Sequence, residues 1–410
     1  MSAAPAVSTS NYDLFAPSVL EDPTELLTRL RAENPLYYSP QLHGYVLTRY
    51  DDIVMVLKDP DMGSAMLTGW IDQMPQLAQE QLQPLRASLD LWMGHKNNDD
   101  HQRIQRVLRR YLTLATVESL RPRVESLVTS LFDAVEGKTE VDIIQDIANP
   151  LPCNIIGELL GVPQEDRDQL QQWSQQALNL FRIADLPTLL ETQKAILAIQ
   201  DYMKPIVEAR RHTPLDDLPS LLATAQAEGQ MKSDAEILGN CVALMFGGHE
   251  TTVYLIANTL LALMQNPEQF QMVKDRPELI PSAVEETLRY DGPVDLITRV
   301  TPKPLRLVGG EVPANSMLIL MLRAGSRDPA LYANPDRFDI TRPTTVRSLA
   351  FGLGSFYCLG TALARMETQI CLREFLHRMP NIRPLFDVNK PDYRPLPPIR
   401  RRLETLRVAR

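Results

Sequence analysis

Apolar residues recur at helical spacing through the middle of the chain. The period predicts helices over 99–113, 115–136, 141–160, 166–181, 187–211, 216–228, 233–264, 267–275 and 277–290. After Gly292-Pro293 the pattern shortens to strand-like runs at 294–300, 304–308 and 316–320, punctuated by Pro and Gly. A last helix is predicted over 360–378. Upstream, residues 1–20 read as an irregular arm, and Asp22-Pro23 opens a helix through Arg31. Pro35–Tyr38 and Gly44–Thr48 follow as short strands, then a helix from Tyr50 that Pro60 ends. The stretch 61–96 carries Leu, Met and Trp without clean periodicity, which predicts a long loop with a short helix. Loops of that length are usually functional. No repeat and no strong linker divides residues 21–410, so one mainly α body with small β-sheets is expected.

Composition narrows this little. The 410 residues are 44% hydrophobic and 23% charged, which excludes a disordered or fibrous chain. Lys and Arg number 42 against 51 Asp and Glu, a net charge of −9 that argues against nucleic acid as a partner. Cysteines stand at 153, 241, 358 and 371 with no CxxC pair and no zinc spacing, as expected of free thiols in a reducing, cytoplasmic setting. Three of them lie in apolar helical runs and belong to a core. Residues 1–20 lack the basic and apolar regions of a signal peptide. The most apolar stretch, 237–264, is interrupted by Asn240, Gly247, Gly248, His249, Glu250 and Asn258, so no membrane anchor is expected.

Four stretches carry chemistry. The first is FGLGSFYCLGTALAR, residues 351–365, where Gly352, Gly354 and Gly360 surround Cys358 at the mouth of a helix. Glycines let a backbone approach a flat ligand, and amide donors at a helix start favour a thiolate. Such a thiolate suits a soft or borderline metal, haem iron included. A dinucleotide fingerprint is excluded because its sixth position is Tyr357 rather than Gly. The second is GGHETT, 247–252. It begins like a zinc HExxH motif, but residue 253 is Val. What remains is an acid, Glu250, beside an alcohol, Thr251, whose hydroxyl can bond the carbonyl one turn back and open a local bulge for a small ligand. The third is EETLR, 285–289, where Glu286 and Arg289 share a helix face and can pair. The fourth is DDHQRIQRVLRRYL, 99–112. At ~100° per residue His101, Gln105 and Leu108 share one face, and Arg103, Arg106 and Arg110 the opposite one.

Together these stretches resemble the cytochrome P450 family. Residues 351–365 resemble its haem-binding loop, which makes Cys358 the axial thiolate and Gly352 part of the haem contact. The 247–252 segment resembles its oxygen-activating helix, with Gly247 where Ala is commoner, and gives Glu250 and Thr251 the proton-handling role. Glu286 and Arg289 match its ExxR pair, and Arg337 of PDRF, 335–338, matches the usual third member of that structural support. His101 and Arg299 match propionate-binding positions. Two departures stand out: Gln105 and Phe356 occupy places where the family usually has cationic partners. The motifs run in family order from LTRYDD, 47–52, through SRDP, 326–329.

The resemblance implies haem b held between the 237–264 helix and the Cys358 loop. It also implies monooxygenation of a hydrophobic small molecule, hydroxylation or epoxidation, with electrons from NAD(P)H through a ferredoxin reductase and an acidic ferredoxin. That partner would dock on the Arg103, Arg106 and Arg110 stripe. The pocket would be lined by Ala243, Phe246, Gly247, Val294, Ile297 and Ile399, and natural-product biosynthesis or catabolism is the expected setting. A peroxide-driven haem-thiolate enzyme and a non-catalytic haem-binding protein are the alternatives. The acid–alcohol pair and the basic stripe speak against them.

Overall fold

The computed structural model describes residues 12–64, 71, 74–96, 98–181, 184–343, 345–396 and 400–410. Its axis is the helix Asp234–Gln265, capped by Ser233, whose side chain accepts from the Glu236 amide. Apolar side chains occur on all sides of this helix because helices pack against it from several directions: Pro150–Leu159, Leu186–His212, Ile280–Asp291 and Thr361–Arg378. Their buried faces merge into one large core that includes Cys153, Cys241 and Cys371. The three thiols are therefore packing groups, as their apolar surroundings predicted.

A five-stranded sheet flanks the helices in the order Leu36–Ser39, Gly44–Leu47, Met317–Met321, Leu296–Val300, Gly63–Ser64. Gly44–Leu47 runs parallel to Met317–Met321 with Gly44 opposite Met317, whereas Leu296–Val300 runs antiparallel to it with Leu296 opposite Met321. Met317–Met321 is apolar throughout because two separate clusters cover its two faces, one around Leu318 and Leu320 and one around Ile319 and Met321. Arg299 leaves this sheet from its fourth strand.

Four predicted elements change. The 115–136 helix is two, Leu114–Ser119 and Arg121–Ala134, because Pro122 restarts the turn after Leu120. The 141–160 helix begins only at Pro150. Glu140–Asp142 is instead a strand paired with Arg407–Ala409, and Ile144–Ala148 forms a wide π-turn. The 61–96 stretch holds two helices, Gln76–Gln81 and Gln83–Leu89, and a 3-10 turn at Met93–His95. Residues 1–11 of the expected arm lie outside the described residues; from Tyr12 on it is less irregular than expected, with Tyr12 and Leu14 buried, Tyr12 Oη donating to Glu33 at 2.9 Å, and Pro17–Glu21 helical. A hairpin, Tyr393–Leu396 with Arg400–Leu403, brings the C-terminal segment to the central helix. No helix among the described residues is long and apolar enough to cross a membrane.

Candidate active site

The Cys358 loop is a backbone construction. The Cys358 amide donates to the Phe351 carbonyl at 3.0 Å and the Gly352 amide to the Leu349 carbonyl at 2.8 Å. Gly352 and Gly354 both have left-handed φ, 66° and 70°, and a Cβ on Gly354 would collide with the Leu57 carbonyl oxygen. The loop hands directly to Thr361–Arg378, and Thr361 Oγ1 donates back to the Cys358 carbonyl at 2.9 Å. Cys358 lies deep in the fold, yet alone among the four thiols its side chain has open surface. Burial pushes its thiol up, outweighing the downward pull of the Gly360 amide, the Thr361 hydroxyl and Arg365. The helix start by itself therefore does not keep this sulfur ionised. A coordinated metal would.

The central helix shows a second bare surface. Gly247 is exposed in the middle of an otherwise buried helix, and a Cβ there would meet nothing within 4 Å. Ala243, Leu244 and Thr251, on the same face, are half-buried. Thr251 Oγ1 donates to the Gly247 carbonyl at 2.9 Å, the expected bond. The expected bulge is absent, since α-helical bonding runs unbroken through this turn. The room comes from the missing side chain of Gly247. Gly248 is not free space, because its Cα packs under Ile156. Phe246 is also no part of a groove: it is buried against Trp92, ring centroids 5.6 Å apart, and belongs to the core. Val294, just before the strand Leu296–Val300, and Ile297, within it, are half-buried, and Ile399 lies outside the described residues.

Glu250 is 5% exposed and burial raises its carboxyl to about 7, against a smaller downward pull from Arg402. Near neutral pH it can therefore both hold and release a proton. Its neighbour His249 is fixed and neutral. Ser174 Oγ is 2.9 Å from His249 Nδ1, Nε2 faces the Asn149 carbonyl at 3.2 Å, and burial lowers the imidazole to about 4. A neutral ring that donates from Nε2 and accepts at Nδ1 satisfies both.

His101 and Gln105 both bond the Cys358 loop. His101 Nδ1 faces the Met93 carbonyl at 2.9 Å and Nε2 the Ser355 carbonyl at 3.1 Å. Gln105 Nε2 donates to Ser355 O at 2.8 Å and reaches Tyr357 O at 3.4 Å. Both side chains latch the helix Asn98–Arg109 to the Cys358 loop. Arg299 is the contrast. It is 7% exposed, burial lowers its guanidinium to about 10, and its partners are the Thr298 carbonyl at 2.8 Å and the face of Phe356 at 4.7 Å. No carboxylate among the described residues pairs with it. It is a buried cation whose partners are a carbonyl and an aromatic face.

Glu286 and Arg289 form a bidentate pair, 2.8 Å for each bond, both side chains buried. Arg289 also donates to the carbonyls of Pro335 at 2.7 Å, Arg337 at 3.1 Å and Ser326 at 3.2 Å. Arg337 thus contributes its backbone. Its side chain is exposed, and the third charged member is Arg342, with Nε 3.3 Å from Glu286 Oε1. Arg342 was missed because the expectation followed PDRF, whereas the partner lies five residues on, in DITR.

A cytochrome P450 family model matches residues 93–380, which include all four chemistry-bearing stretches. The chain belongs to the cytochrome P450 family. It is 34% identical over 369 residues to the biotin biosynthesis cytochrome P450 of Bacillus subtilis (strain 168), covering 88% of this chain and 90% of that one. It is 34% identical over 368 residues to the cytochrome P450 monooxygenase PikC of Streptomyces venezuelae, covering 88% and 85%. Among solved structures it superimposes on P450BioI bound to an acyl carrier protein carrying hexadec-9Z-enoic acid. The TM-score is 0.88 at 33% identity, over 96% of this chain and all of that one. The fold and the enzyme class are those of a P450 monooxygenase, and the family's cofactor is haem iron.

The residues fit that cofactor. No group of three His, Cys, Asp or Glu among the described residues could hold a bare metal ion. A metal bound by Cys358 would take its other ligands from a macrocycle, which matches a lone thiol with open surface. The bare Gly247 face provides space on the central helix, and Arg299 provides a buried cation for a carboxylate of the macrocycle.

The arginine stripe is rewritten for this P450. Arg103 is no docking group: it bonds Glu236 at 2.6 Å and Asp100 at 3.0 Å, tying the helix to the start of the central one. Arg110 pairs with Glu228 at 3.2 Å. Arg106 remains exposed, bonded to the Gln102 carbonyl. Arg109 and Arg347 are exposed with no carboxylate partner among the described residues. Arg347 lies 4.6 Å from the ring of Tyr357, next to Cys358. A cavity of about 160 Å³ opens there, walled by Arg342, Arg347, Arg365, Glu285 and Tyr357.

Proposed function

We propose that Cys358 would hold haem b as a thiolate ligand and that Glu250 and Thr251 deliver protons from the Gly247 surface. The carrying observation is the pair of bare surfaces, one at Cys358 and one at Gly247, inside an otherwise packed interior. Bound haem iron would supply dioxygen activation and insertion of one oxygen atom into substrate, a thiolate ligand favouring O–O cleavage. The chain's own part is orientation and proton handling. Thr251 holds its hydroxyl at the edge of the Gly247 space, where it can pass a proton after releasing the Gly247 carbonyl. Glu250, one residue back, stores that proton near neutral pH. Arg299 binds a propionate, while His101 and Gln105 hold the loop that carries Cys358.

Electrons come from NAD(P)H through a ferredoxin. Its acidic surface docks on Arg106, Arg109 and Arg347, beside the loop that bears the thiolate. The setting is cytoplasmic, matching free buried thiols. The substrate is a medium or large hydrophobic molecule. The half-buried apolar side chains of Ala243, Val294 and Ile297 support this, as does the fatty acid on the acyl carrier protein bound to P450BioI.

The test is a spectral titration with free long-chain fatty acids, their carrier-protein thioesters and macrocyclic lactones. Product analysis with NAD(P)H, reductase and ferredoxin follows. Oxygenated product under NAD(P)H supports the reading. Product with peroxide alone would replace it by the peroxide-driven alternative.

A further inference from the structure

Glu250 is held by a residue from the far end of the chain. Arg402, on the hairpin strand Arg400–Leu403, places Nη1 3.4 Å from Glu250 Oε2, 152 residues away in sequence. Its guanidinium lies 4.9 Å from the ring centre of Tyr254, one helical turn beyond Glu250, and bonds the Tyr254 side chain. The Glu250 side chain is 6% exposed and the Arg402 side chain 22%, so the pair is largely shielded from screening by salt.

The other groups around Glu250 leave Arg402 as its one cation among the described residues. On its own helix, His249 Nδ1 is 3.8 Å away but the ring is neutral. From the helix Pro150–Leu159 comes Cys153, whose thiol burial keeps protonated, raised to about 12. On the hairpin, Glu404 acts on Tyr254 with the same sign as Glu250. Beyond Tyr254 lies a cavity of about 10 Å³, room for one water, walled in part by Asn258, Asp295 and Arg323. Arg323 Nε, fully buried there, has no hydrogen-bond partner among the described residues, which marks that wall as a place for a polar guest. Tyr254 therefore touches both Arg402 and this hydratable flank of the helix.

We propose that Arg402 is a positioning residue for proton delivery: it holds the Glu250 carboxyl in place beside Thr251 and makes its proton affinity depend on the C-terminal hairpin. The inference rests on the reading of Glu250 as proton source. An opposite charge at this range lowers a carboxyl by about one to three pH units. Without Arg402 the acid keeps its proton to higher pH. A movement of the hairpin that lengthens the contact has the same effect.

The experiment uses the resting holoenzyme. Infrared titration follows the protonated carboxyl band that disappears in Glu250→Gln. Its midpoint should rise by about one pH unit or more in Arg402→Met and stay near the parent value in Arg402→Lys. The fraction of NAD(P)H recovered as product should shift its pH profile by the same amount in Arg402→Met. The thiolate band of the reduced carbon monoxide complex, read in each variant, confirms that the site is intact. An unmoved midpoint in Arg402→Met overturns the proposal. If Glu250→Gln uncouples turnover while Arg402→Met leaves the profile unmoved, only the role of Arg402 falls. If Glu250→Gln leaves coupling intact, the reading beneath it falls as well.

Discussion

The guanidinium of Arg299 lies 4.7 Å from the ring centre of Phe356, and the same ring lies 4.0 Å from the imidazole of His101. Phe356 thus packs against both a buried guanidinium and the imidazole of the neighbouring helix. A desolvated cation–π contact contributes about 2 kcal/mol. Phe356→Ala should therefore release haem to apomyoglobin faster, by roughly an order of magnitude. Phe356→His keeps a planar ring between the same neighbours and adds a donor, so it should fold and release haem no faster than the parent. Equal release rates in parent and Phe356→Ala would remove Phe356 from haem retention.

Thr251 bonds the Gly247 carbonyl and sits at the edge of the only stretch of the central helix where a side chain is missing and nothing fills the gap, among the described residues. Thr251→Ala removes the hydroxyl without adding bulk. NAD(P)H should still be consumed, with most electrons recovered as hydrogen peroxide. Thr251→Ser should restore product. Coupling that survives Thr251→Ala would leave proton delivery to Glu250 and water.

Local rules made much of this site legible. Cys358 is marked by the glycines that its loop needs, two of which adopt left-handed φ, and Glu286 by its distance of three from Arg289. Those constraints act within one loop or one turn, so they are written in adjacent residues. What escaped depends on partners brought from afar. Arg103 looked like a free surface cation because Glu236, which neutralises it, is 133 residues away. Asp142 looked helical because Leu406, whose amide it accepts, is 264 residues away. The Glu286 partner fell on Arg342 instead of Arg337 because the loop's path, not the nearest motif, decides which side chain turns inward. The same holds for His101: helical spacing gives its face, while the Ser355 carbonyl that occupies Nε2 belongs to the loop.

Cys358 is the one thiol with open surface, and the other three are buried. Cys358→Ala should abolish the long-wavelength Soret band of the reduced carbon monoxide complex. Substitution of Cys153, Cys241 or Cys371 by Ala should leave that band in place and act on stability alone. A band that survives Cys358→Ala would assign the iron to another ligand.

Glu367 is 1% exposed, its Oε2 has no hydrogen-bond partner among the described residues, and burial raises its carboxyl to about 8. Below the ordinary carboxylate range both folded and unfolded chains hold the proton. Between that range and about pH 8 the unfolded chain releases it first, so stability falls as pH rises through this window. Glu367→Gln removes the ionisation. Its melting temperature should exceed that of the parent increasingly from pH 6 to pH 9, by a few kcal/mol in stability at the upper end. A constant difference across that range would show that the carboxyl does not titrate there.

Docking of the electron donor separates two kinds of arginine on one helix. Arg106 and Arg109 are exposed and carry no carboxylate among the described residues, whereas Arg103 is bound to Glu236 and Asp100. Reversing Arg106 and Arg109 to Glu should slow reduction by ferredoxin most at low salt. The effect should fade as ionic strength rises and the Debye length drops below about 10 Å. Substrate-induced spectral shifts should not change. Arg103→Gln should do the reverse. It should leave reduction rates near those of the parent and lower stability by about 1–3 kcal/mol, since it strips a partner from the nearly buried Glu236. Ferredoxin kinetics that respond to Arg103 and ignore Arg106 and Arg109 would move the docking surface to another part of this face.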